Sequence, residues 1–118
     1  MNLREGDKAP DCNLQDTTGN IVTLNEFLGK KIVIYFYPKD DTPGCTIEAC
    51  EIRDKYSIFK ETNVVVLGVS ADDIESHKNF TDKFSLPFPL LADVNKNMCA
   101  DYDVLVDKIV HGHTVKGI

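Results

Sequence analysis

The 118-residue sequence lacks the long apolar segments of membrane proteins and the basic excess of proteins that bind nucleic acids. No apolar run approaches the ~20 residues that a membrane-spanning helix needs. Acidic residues number 19 and basic residues 13, which gives a net charge of −6 and a pI near 4.9. We therefore expect neither a nucleic acid nor a membrane as a partner. The first eight residues are charged where a signal peptide is apolar, so we expect a cytoplasmic protein.

Cysteine is also scarce, and its spacing excludes several familiar sites. The four cysteines are Cys12, Cys45, Cys50 and Cys99. They are too few and too scattered for the disulfide scaffold of a small secreted protein. No Cys-x-x-Cys pair is present, so neither a thioredoxin-type redox motif nor the paired ligands of a zinc site can be assigned. We predict no metal and no cofactor, and we expect a catalytic or redox role for the closest pair, Cys45 and Cys50.

The chain contains no internal repeat, low-complexity tract or linker, which predicts a single domain over residues 1–118. Two apolar runs, Ile32–Tyr37 and Val64–Val69, are typical of strands covered on both faces. Helices are predicted after each run, from Pro43 to about Thr62 and from Asp72 or Asp73 to about Phe84. The first helix has an approximate apolar face made of Ile47, Ile52, Tyr56 and Phe59. Weaker predictions are strands at 21–24, 88–91 and 104–110 and helical turns over 95–101. This alternation indicates an α/β sandwich.

Cys45 is predicted to lie in the first turn of a helix, directly after a buried strand. Thr42 is a good N-cap and Pro43 a good first helical residue, which makes Cys45 the third residue of the helix. Unpaired N–H groups and the positive end of the helix dipole both favour a thiolate there. Pro38 fixes the chain as it leaves the strand and can shield one side of a pocket. A thiolate beside the Thr42 hydroxyl suits attack on an electrophile whose leaving oxygen needs a donor.

The spacing of Cys45 and Cys50 restricts what the pair can do. Five positions along a helix correspond to about 500° of rotation and ~7.5 Å of rise. The two thiols then point to different faces, and their Cα atoms lie beyond the ~7 Å limit for a disulfide. Either the pair never bridges or the first turns of the helix unwind. For Cys12 and Cys99 we expect the ordinary role of small buried apolar side chains.

The pattern Pro38-x-x-x-Thr42-x-x-Cys45 resembles the signature of the peroxiredoxins. The fuller string from Tyr37 to Cys50 closely resembles the bacterioferritin-comigratory, or peroxiredoxin Q, subfamily. Further matching segments are residues 6–10, 67–70, 88–93 and Tyr102, so the resemblance covers essentially the whole chain. It implies a thioredoxin-like fold, a three-layer α/β sandwich around a central mixed sheet.

The resemblance also implies an activity and its residues. Cys45 would be the peroxidatic cysteine of an antioxidant peroxidase, attacking hydrogen peroxide or an organic hydroperoxide and becoming a sulfenic acid. Cys50 would be the resolving cysteine, forming an intramolecular disulfide that thioredoxin, or sometimes glutaredoxin, reduces. Thr42 and Pro38 would complete the pocket, and the protein would be a monomer. Together with the helix geometry, this scheme requires unwinding between Thr42 and roughly Arg53.

In one respect the sequence departs from the family. Peroxiredoxins use an active-site arginine on a strand that lies beyond residue 118 of this sequence. The only arginines here are Arg4 and Arg53, and we expect Arg53 to pair with a neighbour such as Glu48, Glu51 or Asp54. We therefore expect a domain that is incomplete at its C-terminus, without the last strands and final helix of the family.

Two alternatives to the peroxidase remain open at this stage. One is a redox-sensing switch, in which the Cys45–Cys50 pair signals through helix unwinding without efficient turnover. The other is a truncated, inactive peroxiredoxin-like binding module. Elsewhere we expect His77 on the exposed side of its helix, and residues 40–41 in a solvated loop.

Overall fold

A five-stranded mixed sheet forms the centre of the structure, a computed structural model that describes residues 4–110 and 113–118. Its strands are β1 (Leu14–Gln15), β2 (Ile21–Val22), β3 (Lys31–Phe36), β4 (Val64–Ser70) and β5 (Leu90–Ala92). Their spatial order is β2-β1-β5-β4-β3. Strands β3, β4 and β5 are parallel, with Ile34 opposite Leu67 and Val69 opposite Leu91, whereas β1 runs antiparallel to both of its neighbours. The long apolar runs thus became the parallel strands, which need crossover helices between them.

The helices begin where the capping residues predict, but the first one is interrupted. The helices are α1 (Pro43–Asp54), α2 (Tyr56–Glu61), α3 (Ile74–Phe84), α4 (Asn97–Asp101) and a short 3-10 helix (Leu24–Phe27). The single helix predicted from Pro43 to about Thr62 is wrong, because the chain breaks at Lys55 (φ −105°, ψ 8°) into α1 and α2. Asp73 caps α3, its side chain accepting a 2.8 Å hydrogen bond from the Ser76 N–H. Within the described ranges, no helix has the length and apolar character to cross a membrane.

Apolar side chains pack on both faces of the sheet. Along β4, Leu67 and Val69 lie in one core and Val66 in the other, as the alternation of a strand requires. The helices α1, α2 and α3 cover the face of Val66. The other face is covered by α4 and the 3-10 helix. The predicted α/β sandwich with three layers is confirmed.

The ends of the chain differ from the sequence predictions. Residues Leu14–Gln15 form a strand, β1, where none is predicted from the sequence, and the strand predicted at 21–24 ends at Val22. The strand predicted at 104–110 is β6 (Val106–Val110), and it pairs with a second strand that the sequence did not indicate, β7 (His113–Gly117). This antiparallel hairpin is a two-stranded sheet separate from the central one.

Candidate active site

Cys45 lies in the first turn of α1, directly beyond the carboxyl end of β3. Thr42 is the N-cap with an extended backbone (φ −93°, ψ 154°), and Pro43 is the first helical residue, both as predicted. The Thr42 carbonyl accepts the first helical hydrogen bond, 2.8 Å from the Thr46 nitrogen. The Cys45 side chain is half-buried and packs against the core under α1. The structure therefore places a partly accessible thiol beside the N–H groups of a helix terminus.

The Thr42 hydroxyl does not cap the helix. It donates instead to the Lys39 carbonyl, with an oxygen–oxygen distance of 2.9 Å. The N-cap side chain makes no capping hydrogen bond to the first-turn N–H groups of α1. Pro38, which precedes this turn, is exposed. The first turn of α1, which includes Cys45, consequently keeps N–H groups that the Thr42 side chain does not cap.

Cys50 is on the same continuous helix as Cys45. Both thiols are free, and both side chains are half-buried. Because Pro43–Asp54 is α-helical throughout, the ~7.5 Å rise between the two positions applies to the structure. A disulfide between them needs α1 to unwind.

The other two cysteines are core residues, which confirms the prediction for them. Cys12 is 8% exposed and Cys99 is fully buried. Burial, reinforced by neighbouring Asp11, raises the pKa of Cys12 to about 11. Burial, with a hydrogen bond to Asp93, raises the pKa of Cys99 to about 12. Neither thiol forms a thiolate readily at neutral pH, so neither is suited to nucleophilic attack.

A buried polar network holds the turn that leads to Cys45, and here the prediction of a solvated loop is wrong for Asp40. The Asp40 side chain is buried and accepts three hydrogen bonds or close polar contacts through its carboxylate. The Tyr37 hydroxyl lies 2.5 Å from Oδ1, while the Ser76 hydroxyl and His77 Nδ1 lie 2.9 Å and 2.7 Å from Oδ2. The Asp40 N–H donates to Asp72 Oδ2 at 2.8 Å. Burial, followed by the bond to Asp40, raises the pKa of Tyr37, so its hydroxyl remains a donor.

His77 is fully buried, so the prediction that it faces solvent is also wrong. Its Nε2 lies 3.0 Å from the Leu91 carbonyl oxygen, and its Nδ1 faces Asp40. A carbonyl and a carboxylate only accept hydrogen bonds, so both contacts are satisfied when both ring nitrogens carry hydrogen. The signal was present in the sequence: His77 is three residues before Phe80 and therefore shares its helix face.

Asp40, Asp72 and His77 also form a possible metal-binding cluster. Their ligand atoms lie within 4.8 Å of one another. Each ligand atom, however, is already engaged within the protein: Asp72 Oδ2 accepts from both the Ser70 hydroxyl and the Asp40 N–H. The arrangement is that of a hydrogen-bonded network that joins the Cys45 turn to the ends of β4 and α3.

Arg53 makes the local ion pair that the sequence predicts. Its Nε lies 3.0 Å from Asp54 Oδ1. Its Nη1 also donates to the Phe84 carbonyl at 2.8 Å, which links the C-terminal part of α1 to the end of α3. The guanidinium is thus engaged in structural contacts eight residues beyond Cys45.

Comparison with known proteins agrees with this arrangement. The sequence model of the AhpC/TSA family matches residues 5–117. The chain is a member of this peroxiredoxin family. Over its full length it is 47% identical to a putative peroxiredoxin Bcp of Coxiella burnetii and 45% identical to peroxiredoxin Bcp of Bacillus subtilis. It spans 78% and 75% of those two proteins.

Solved structures give the same family and confirm the thioredoxin-like fold. A structure of Xanthomonas campestris peroxiredoxin Q superposes with a TM-score of 0.85 at 39% identity, covering 91% of this chain and 68% of that one. A structure of the bacterioferritin comigratory protein of the same organism, studied for its alkyl peroxide reduction activity, matches equally well, with 38% identity. BcpB of Mycobacterium tuberculosis superposes with a TM-score of 0.82 at 32% identity, over 95% of this chain and 72% of that one.

Proposed function

We propose that this peroxiredoxin reduces hydrogen peroxide and organic hydroperoxides with Cys45 as the attacking thiolate. The supporting observation is its position: Cys45 is half-buried at the uncapped start of α1, whereas burial raises the pKa of Cys12 and Cys99. Attack forms a sulfur–oxygen bond and breaks the O–O bond. The leaving oxygen takes a proton and departs as water or an alcohol, and Cys45 is left as a sulfenic acid. The alkyl peroxide activity of the Xanthomonas relative supports the inclusion of organic hydroperoxides.

Thr42 and Pro38 are proposed to shape the peroxide pocket. The Thr42 hydroxyl donates its hydrogen bond to the Lys39 carbonyl. The lone pairs of the same oxygen can still accept a hydrogen bond from a hydroperoxide O–H. First-turn N–H groups of α1 supply donors for the developing negative charge. Pro38 has no N–H and a fixed φ, so it forms a rigid apolar border where the chain leaves β3.

Cys50 is proposed to resolve the sulfenic acid. Its thiol condenses with Cys45–SOH to give the Cys45–Cys50 disulfide and one water molecule. Because both residues lie on α1, this step follows unwinding of the helix. A dithiol protein, thioredoxin or glutaredoxin, then reduces the disulfide through a mixed disulfide and completes the cycle of a monomeric enzyme.

Intact-mass analysis after one equivalent of hydrogen peroxide tests the scheme. We expect the wild type to lose two hydrogens, Cys50→Ser to gain one or more oxygens, and Cys45→Ser to remain unchanged. An unchanged mass in the wild type would contradict the proposal. With a thioredoxin system present, peroxide consumption should exceed the amount of protein many times over. Consumption that stops at one equivalent would identify a redox-sensing switch instead.

A further inference from the structure

Tyr35 lies on β3, on the sheet face that α1 covers, in the same core as Cys45 and Ala49. Its ring stacks on Tyr37 with the centroids 5.5 Å apart and meets Phe88 edge-on at 5.9 Å. On the adjacent strand, Gly68 makes room for it: a Cβ there would come within 3.0 Å of the Tyr35 ring. The ring is therefore held firmly between its neighbours.

The hydroxyl at the end of this ring is buried and finds no hydrogen-bond partner among the described residues. The pKa of Tyr35 is raised, first by burial and then by the nearby carboxylates of Glu48 and Asp40. Tyr35 packs in the same core as Cys45 and Ala49, both in the first two turns of α1, so the hydroxyl is buried on the face that this part of the helix covers. A buried O–H without an acceptor destabilises the conformation that buries it.

The first turns of the helix above Tyr35 have few other interactions to hold them. Only Ala49 of the twelve residues of α1 is buried, and the Thr42 side chain makes no capping hydrogen bond at the start of the helix. Gly44 in the first turn has nothing within 4 Å of the place where a Cβ would lie. A small change in the free energy of the first turns of α1 should therefore change how often they unwind.

We propose that the Tyr35 hydroxyl destabilises the folded first turns of α1 and so promotes their unwinding. It lacks a partner while the first turns cover it, and it gains water when they unwind. This inference rests on the proposed function, in which unwinding lets Cys50 reach Cys45–SOH. Unwinding competes with over-oxidation, in which a second hydroperoxide converts the sulfenic acid to a sulfinic acid and leaves as water or alcohol. The hydroxyl thus favours the disulfide over the over-oxidised product.

Tyr35→Phe removes the hydroxyl and keeps the ring. A matched control exists, because the Thr81 hydroxyl on α3 is likewise buried and without a partner among the described residues. Thr81→Val removes it from a helix that carries neither cysteine. The measurements are amide hydrogen exchange in α1, the rates of Cys45 oxidation and of disulfide formation in rapid mixing, and the over-oxidised fraction by mass spectrometry.

For Tyr35→Phe we expect amide exchange in α1 and disulfide formation to slow by about fivefold to a hundredfold. Over-oxidation should appear at correspondingly lower peroxide concentrations, while the rate of Cys45 oxidation stays as in the wild type. Thr81→Val should resist denaturation better than the wild type. Its ratio of disulfide to sulfinic acid should equal that of the wild type.

Three results would overturn the inference: wild-type exchange and product ratios in Tyr35→Phe, an equal change in both variants, or a slower oxidation of Cys45 in Tyr35→Phe. Failure of the proposed function is recognised separately, since the wild type would then form no disulfide at all. In that case α1 exchange in Tyr35→Phe still decides whether the hydroxyl destabilises the helix.

Discussion

The turn before Cys45 and the helix that contains Cys45 are held in contrasting ways. Residues 37–41, before it, are tied to the rest of the protein by buried polar side chains, with the Asp40 carboxylate at the centre of three contacts. The twelve residues of α1, from Pro43 onward, bury only Ala49. The boundary between the two segments falls at Thr42, whose hydroxyl bonds back to Lys39.

This contrast suits the proposed cycle, in which a helix unwinds beside a pocket that persists. Local stability in a protein follows the density of buried contacts, so α1 can open at a lower free energy than the turn before it. In the proposed cycle, Thr42 and Pro38 stay in place on the rigid side while Cys45 moves toward Cys50. We expect the pocket to reform around Cys45 once the disulfide is reduced.

The largest effect should come from removing the centre of the rigid segment. Asp40→Ala leaves the buried His77 ring, together with the Tyr37 and Ser76 hydroxyls, without their common acceptor. Each buried donor left without an acceptor costs about 1–3 kcal/mol, and urea denaturation should show at least a loss of this size in the free energy of unfolding.

The adjacent residue supplies the control for this prediction. Asp41 pairs with Lys83 at 2.7 Å, but both side chains are exposed. Asp41 has a φ of 57°, which asparagine tolerates and alanine does not, so the control is Asp41→Asn, and it should cost less than about 1 kcal/mol. If the two variants lose the same small amount of stability, residues 37–41 are not held by the buried network.

A pH titration tests the burial of the two core cysteines, Cys12 and Cys99. The pKa of Cys99 in the folded protein is raised to about 12, from an ordinary value of 9.0. Between these values the unfolded chain loses the proton that the folded protein keeps. The free energy of unfolding should therefore fall as pH rises above 9.0, by up to about 1.4 kcal/mol per pH unit from this thiol.

Denaturation of the wild type and Cys99→Ala at pH 8 to 11 measures this contribution. The variant should show the shallower fall with pH, and parallel curves would contradict the prediction. Cys12, with a pKa raised to about 11, should contribute over the narrower range from 9.0 to 11.

The smallest effect should come from stiffening α1 itself. Gly44 has open space around its Cβ position, and Ala has the higher helix propensity. Gly44→Ala should stabilise α1 by about 0.5–1 kcal/mol and slow both its amide exchange and disulfide formation. Gly29→Ala is the control: at φ +87° an alanine is strained, so it should destabilise the protein without affecting α1 selectively. Faster amide exchange in the Gly44→Ala variant would contradict the view of α1 as a marginal helix.

The start of α1 was predictable because the signals act within one turn. The N-cap at Thr42 and the proline at position 43 define the helix start without help from distant residues. The later part of the same helix was not predictable in this way. No glycine or proline marks the break at Lys55, and Ile47, assigned to the apolar face, is 62% exposed. The spacing of five between Ile47 and Ile52 does not fit one helix face, so the sequence itself indicated that Ile47 does not belong to that face.

Family membership, the alternation of strands and helices, and the position of Cys45 at a helix start all follow from the sequence alone. They depend on local spacing and on motifs that can be read along the chain. The burial of Asp40 with His77, 37 positions away, and the unpartnered hydroxyl of Tyr35 beneath α1 were decided only by the tertiary structure. A local sequence pattern predicts that polar side chains are exposed to solvent. Only the packing of elements that are distant in sequence determines which of them are buried.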